Sequence, residues 1–133
     1  SRKAGRELFS RSAKALLFTG GNATGFDAPA GLRLELIPEN DPFAGSGALT
    51  VRVLFEGKPL AGVLLTAMHH DDGGQHLRAR TGQDGRAAFT LRRKGAWLFK
   101  TTHMVAAPPA SGADWESIWA SLTFETDRGT IPR

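Results

Sequence analysis

The sequence contains no cysteine and no tyrosine, and only two methionines among its 133 residues. Without cysteine, neither a disulfide framework nor a thiolate metal site can form, which leaves imidazole and carboxylate as the side chains available to a metal. Long apolar runs are missing too. Val63-Leu64-Leu65, near the middle of the chain, is strand-sized, and nothing approaches the ~18–20 residues of a membrane-spanning helix. No internal repeat or low-complexity tract occurs. The motifs of the common enzyme classes are also missing: no Gly-x-Ser-x-Gly elbow, no Walker loop, no His-Glu-x-x-His and no Rossmann glycine pattern. Gly45-Ser46-Gly47 reads as a turn, because no helix start follows it to make a phosphate cradle. Nothing in the spacing of Ser111, Ser117 and His103 marks a nucleophile with its base. The chain is read as a non-enzyme.

The net charge of +4 sits entirely in residues 1–14, where Arg2, Lys3, Arg6, Arg11 and Lys14 outweigh Glu7. The remainder balances, being acidic over 15–77, basic over 78–100 and slightly acidic over 101–133. So small an excess, confined to one end, does not describe a nucleic-acid surface, whose affinity scales with the phosphates it neutralises.

What is present is glycine, proline and alternation. Sixteen Gly and seven Pro supply many turns, and between them apolar residues recur with period two, the spacing of a half-buried strand. Leu49, Val51, Val53 and Phe55 share one face. Gly57-Lys58-Pro59 turns the chain into a strand over 62–70, and a loop over 71–75 leads into a return strand over 76–81. Asp84-Gly85 is a second turn, followed by Ala87, Phe89 and Leu91 on one face. A strand from Gly95 carries Trp97, Phe99, Thr101 and His103, and the last carries Ile118, Ala120, Leu122 and Phe124. With 32–38 these make seven strands, and 8–19 supplies an eighth or a short helix. The expected fold is all-β: a single immunoglobulin/transthyretin-like β-sandwich of seven to eight strands over 1–133, with 1–20 as its leading segment.

Four side-chain groupings stand out. A five-residue loop over 71–75 pairs His70 with His76 across a hairpin, close enough to share a metal with Asp71 and Asp72; the alternative is a polar hairpin tip that happens to hold histidines. His103, beside Met104, ends a core strand next to the long connection 106–116. Asp114 and Glu116 on that connection can converge on it as metal ligands, or His103 pins the loop by a hydrogen bond. Trp119 falls on the polar face of its strand, and an outward Trp there calls for a ligand, another domain, or cover from Phe9, Leu16, Leu17 and Phe18 of the chain's own leading segment. Trp115 and Met104 belong with it as partner-binding candidates.

The ordered motifs resemble the DUF4198 family. Asp114-Trp115-Glu116-Ser117-Ile118-Trp119-Ala120-Ser121-Leu122-Thr123-Phe124-Glu125 is similar to its DWES-x-WASLTFE signature. Ser10-Arg11-Ser12-Ala13-Lys14-Ala15-Leu16, Leu34-Glu35-Leu36-Ile37-Pro38 with Asp41-Pro42, and Phe55-Glu56-Gly57-Lys58-Pro59-Leu60-Ala61-Gly62 resemble its earlier elements. So do Gly82-Gln83-Asp84-Gly85-Arg86-Ala87, Gly95-Ala96-Trp97-Leu98 and His103-Met104. The resemblance covers 7–126. It implies a bacterial periplasmic or envelope protein, exported with its signal peptide removed, some relatives of which serve nickel or cobalt uptake as accessory components. Whole members carry an N-terminal β domain with a His-rich start, so this chain, beginning at Ser1, is expected to be the C-terminal domain. By position the resemblance points to His103, Met104, Asp114, Trp115, Glu116 and Trp119, whereas His70 and His76 fall in a variable stretch.

The expectation is a binding domain of an envelope protein that handles a divalent transition metal (Ni, Co, Zn or Cu). Its partners would be an N-terminal domain of the same protein and a membrane metal transporter. The alternative is an interaction module that binds a protein or a carbohydrate through Trp119 and the 106–116 connection, with no metal role.

Overall fold

The computed structural model describes residues 7–17, 25–43, 47–71 and 76–126. In chain order the strands are β1 (Glu7–Ala15), β2 (Leu34–Pro38), β3 (Gly47–Phe55), β4 (Lys58–Pro59), β5 (Leu64–His69), β6 (His76–Arg80), β7 (Arg86–Leu91), β8 (Gly95–Ala106) and β9 (Trp115–Thr126). Two sheets face each other. One runs β1-β9-β8-β5-β6; in the other, β3 pairs with β2 along one edge and with β4 and β7 along the opposite edge. The sandwich expected from the alternation is present. The leading segment resolves to a strand, and the two-residue β4 takes the number of strands past the seven or eight expected.

Alternation places the core between the sheets. Leu49, Val51, Val53, Ala87, Phe89 and Leu91 from one sheet meet Leu65, Ala67, Trp97, Phe99, Ile118, Ala120, Leu122 and Phe124 from the other, all buried. Phe99 sits at the centre, edge-on to Phe89 at 5.1 Å and stacked on Phe124 at 5.6 Å between ring centroids. Rings in such arrangements contribute beyond the area they bury.

Two turns set the ends of these strands. Glu56 and Gly57 both take positive φ, 53° and 82°, between the paired Phe55 and Lys58; this is the two-residue reverse turn that matches strand twist. A non-glycine residue there costs about 1–2 kcal/mol, and the Glu56 amide offsets part of it by donating to the Arg33 carbonyl at 2.7 Å. Gly85 (φ 79°) leaves no room for a side chain, since a Cβ would lie 2.9 Å from the Val53 carbonyl oxygen. The Asp84-Gly85 turn is thus set by contact with β3 as well as by conformation.

β1 runs parallel to β9, from Glu7 beside Trp115 to Ala15 beside Thr123, whereas the other described pairings are antiparallel. It also closes the corner between the sheets. Ser12 donates its hydroxyl to the Leu34 carbonyl at 3.1 Å, and Lys14 reaches the buried Glu35 carboxylate at 2.7 Å. β2 is buried on both faces for this reason.

Candidate functional site

Three groupings follow from this frame. The first is an ionic cluster at the sandwich end where β9 begins. His103 pairs with Ile118 and Val105 with Glu116, so His103 and Glu116 are diagonal neighbours on the inward face. Arg33, one residue ahead of β2, inserts here. Its Nη1 donates to Glu116 Oε2 at 2.8 Å, its Nε to Glu56 Oε2 at 3.1 Å, and its guanidinium covers the Phe55 ring at 5.5 Å. The His103 ring stands edge-on to the same Phe55 at 4.8 Å. Burial, and secondarily the Arg33 charge, hold the His103 pKa below its usual value, so the imidazole is neutral near pH 7. Arg33 therefore supplies the cation that neutralises Glu116 and Glu56. Asp114 is exposed, and its carbonyl accepts from the Ala107 amide at 3.3 Å, closing the loop between β8 and β9. Among the described residues, no group of three or more His, Asp or Glu side chains is placed to hold a metal ion.

The second grouping is the end of β5, His69 with the adjoining His70, packed against the turn between β7 and β8. Here the hairpin register differs from the expected one: Met68, not His70, pairs with His76. A shift of two residues keeps every side chain on its face, so the alternation is identical in both registers and cannot choose between them. Contacts beyond the alternation hold the observed register: Thr81, after β6, donates its amide to the Val63 carbonyl and accepts the Val63 amide at its hydroxyl, both at 3.0 Å, while on the other edge of β5 His69 partners Trp97 of β8. His69 is buried, with Nε2 at 2.5 Å from the Lys94 carbonyl and Nδ1 accepting from the Asp71 amide at 3.1 Å. Both ring nitrogens are used, Nδ1 as an acceptor and Nε2 as the donor to the Lys94 carbonyl. His70 accepts at Nδ1 from the Ala96 amide at 3.3 Å and turns Nε2 toward Asp71 Oδ2 at 3.8 Å. Asp72 and Gln75 lie outside the described residues, as does Phe18.

The third grouping lies on the outward face of β1, β9 and β8, where cross-strand neighbours form rows. Phe9, Ser117 and Met104 make one row, Arg11, Trp119 and Thr102 the next, and Glu7, Trp115 and Ala106 the row on the other side. Phe9 is 62% exposed, Met104 55%, Trp115 39% and Trp119 37%. Ser117 between them is buried, its hydroxyl donating to the Glu7 carboxylate. Arg11 lies over the Trp119 ring at 5.7 Å, so the leading segment covers part of Trp119, through Arg11 rather than through an apolar residue.

Alternation places Trp119 on this surface and the family resemblance points to Trp115 and Met104, while Phe9, expected only as cover for Trp119, proves to be an exposed member of it. Sequence reading passed over Arg33, Glu56 and the Lys14–Glu35 pair. A lone Glu35 inside the apolar Leu34–Pro38 run was the available signal, since a carboxylate buried on both faces needs a cation. Arg33 offered none, because its partners lie 23 and 83 positions away.

Comparison with known proteins places this geometry in context. No curated protein and no solved structure matches the chain. A family model, described as a domain of unknown function (DUF4198), matches residues 2–105, from the leading segment through most of β8. The match ends before β9, so the β9 tryptophans lie beyond it. On this match, which spans most of its length, the chain belongs to the DUF4198 family.

Proposed function

We propose that the chain is a non-catalytic binding domain of an exported envelope protein, and that it docks a protein partner on the outward face of β1, β9 and β8. One observation carries this reading: Phe9, Met104, Trp115 and Trp119 share that face around a small buried Ser117 and remain exposed. Aromatic residues, Met and Arg are the types enriched in interface cores, and Trp and Arg the commonest energetic anchors. The partner of choice is the N-terminal β domain that the family resemblance implies. β1 begins at Glu7 in the row of Trp115, so a domain joined ahead of it lies within reach of the patch.

In this reading the association with nickel or cobalt handling, and with a membrane transporter, is a property of the whole periplasmic protein. The domain contributes by docking. Glu116 already has Arg33 as its cation, and His69 has no free nitrogen.

The test is calorimetric titration of the isolated chain with the separately produced N-terminal domain. Saturable binding that is lost in Trp115→Ala and Trp119→Ala is expected. No binding, or binding unchanged in both variants, refutes the docking face. Binding of soluble oligosaccharides that depends on Trp119 would replace the protein partner by a carbohydrate. Binding of Ni, Co, Cu or Zn tighter than about 0.1 mM, lost in His103→Ala, would replace it by a metal.

A further inference from the structure

The outward face of the five-stranded sheet continues past the aromatic patch onto β5 and β6, and its chemistry changes there. One row crosses all five strands: Arg78, Thr66, Lys100, Ser121 and Ala13 are successive cross-strand neighbours. Two residues further along the strands, the adjoining row holds Arg80 beside Leu64, then Thr102, Trp119 and Arg11. Arg11, Arg78, Arg80 and Lys100 are all exposed, as are Leu64 and Trp119 between them. The period of two that buries Phe99 and Leu122 is what turns these cations to the other face together.

Cations of the opposite sheet are neutralised within the chain: Arg33 by Glu56 and Glu116, Arg52 by Glu39, and Arg86 by Glu39 and Asp84. The four of this face are not, among the described residues. Arg11 lies over the Trp119 ring and Arg80 donates to the Gly62 carbonyl at 3.0 Å, contacts that leave both charges standing. The carboxylates of the face are Glu7, in the row of Trp115, and Glu125, in the row of Ala96. Each is two rows from the nearer cation row, about 13 Å, beyond the ~8–10 Å over which salt lets exposed charges interact. Asp71 lies past the end of β5, and Arg93 and Lys94 in the turn ahead of β8 add no negative charge. Charge on an edge strand guards against unwanted strand pairing, which explains Arg78 and Arg80 on β6. It does not explain Lys100, on β8 between β5 and β9, which stands about 10 Å from Arg78 across Thr66.

We propose that this band recognises an acidic protein surface: the docked partner sets apolar groups against Phe9, Trp115 and Trp119, and carboxylates against Arg11, Lys100, Arg78 and Arg80. The inference rests on the docking reading and deepens it, giving the partner a charge and carrying the interface across β8 to β5 and β6. Trp119 joins the two regions, because its row holds both Arg11 and Arg80. Unanswered cations beside an apolar patch attract a surface of opposite charge and reject one of like charge, which also fixes how the partner is turned. A lipid surface matches less well: Trp115 and Trp119 have more than half of their surface buried in the sheet, whereas a membrane-seeking face sinks its apolar side chains ~5–10 Å into the headgroup boundary.

The probe is the separately produced N-terminal domain, with binding rates followed by surface plasmon resonance at about 0.05 M and about 0.3 M NaCl. The association rate is expected to fall about tenfold or more at the higher salt. Arg78→Glu and Lys100→Glu, at exposed positions away from the core, are each expected to slow association about threefold or more and to flatten its salt dependence. Lys58→Glu makes the same charge change on exposed β4 of the other sheet and is expected to leave the rate within about twofold. Binding that is lost in Trp119→Ala but indifferent to salt and to both reversals overturns the acidic partner and leaves the docking face standing. No binding at either salt overturns both. Equal slowing by Lys58→Glu and Lys100→Glu reduces the effect to net charge and refutes the band. Phosphatidylglycerol vesicles and polygalacturonate are run alongside: if either binds in a Lys100-dependent way and the N-terminal domain does not, a lipid or glycan anion replaces the protein and the inference fails.

Discussion

Replacing Lys14 by Met removes one ammonium from a corner of the sandwich and keeps most of the aliphatic stem. The Glu35 side chain is 2% exposed and that of Lys14 12%. The carboxylate accepts from Lys14 Nζ at 2.7 Å, the Ala30 amide at 2.6 Å and the Leu32 amide at 3.2 Å. Removing one partner of a buried ion pair costs about 3–5 kcal/mol; two backbone donors remain here, so we expect about 2–3 kcal/mol. For 133 residues each kcal/mol moves the melting temperature by about 3–5 °C, which gives a drop of about 6–15 °C. The pH dependence carries a second signature. Burial raises the Glu35 pKa, but the Lys14 hydrogen bond and the Ala30 amide outweigh it and hold the value below the ordinary one. A depressed carboxylate stabilises the fold above its unfolded pKa, and that contribution is lost as pH falls through the folded pKa. Without Lys14, burial counts for more, so acid destabilisation should begin at higher pH. Lys14→Met/Glu35→Gln, which removes the unpaired charge while keeping an acceptor, should recover more than half of the loss. Urea unfolding at pH 7 and pH 4 measures all three proteins. A single variant within about 0.5 kcal/mol of the parent, or a double variant no better than the single, would refute the reasoning.

Three further outcomes are expected. Arg33→Ala leaves the buried Glu116 without its cation and should cost about 1–2 kcal/mol in urea unfolding. Because the Arg33 charge helps to depress His103, the same variant should raise the His103 pKa in an NMR titration. His103, depressed chiefly by burial, contributes stability that is complete above the ordinary histidine pKa of about 6.5 and is lost as pH falls through its folded value. A His103→Gln variant should therefore lose less stability than the parent between pH 7.5 and pH 5. Gly95→Ala, with φ 117° and a Cβ clash on both histidine rings, should cost about 2 kcal/mol or more. Gly62→Ala, with φ 77° and open space, should cost about 1 kcal/mol; equal losses in thermal melts would sink the steric argument.

Strand positions and faces were legible in the sequence wherever one face meets the core, because alternation records burial directly. Trp97, Phe99, Ile118, Leu122 and Phe124 all face as that pattern requires. The outward Trp119 was legible for the same reason, whereas Trp115 was read into the connection 106–116 and proves to begin β9. Pairing was less so. A two-residue slip between β5 and β6 conserves every face, which is why His70 and His76 were read as opposed when Met68 is the residue opposite His76.

The absence of cysteine determined from the start that no disulfide or thiolate would hold this chain together, and the alternation determined that two apolar sheet faces would do so instead. Neither determines which distant charges meet. That Arg33 neutralises Glu116 and Glu56, that Lys14 reaches Glu35, and that both nitrogens of His69 are taken by backbone groups are decided only when the sheets pack. The physical reason is range. Periodicity is a local property of each strand, while an ion pair forms wherever folding brings two charges together out of water, however many residues separate them.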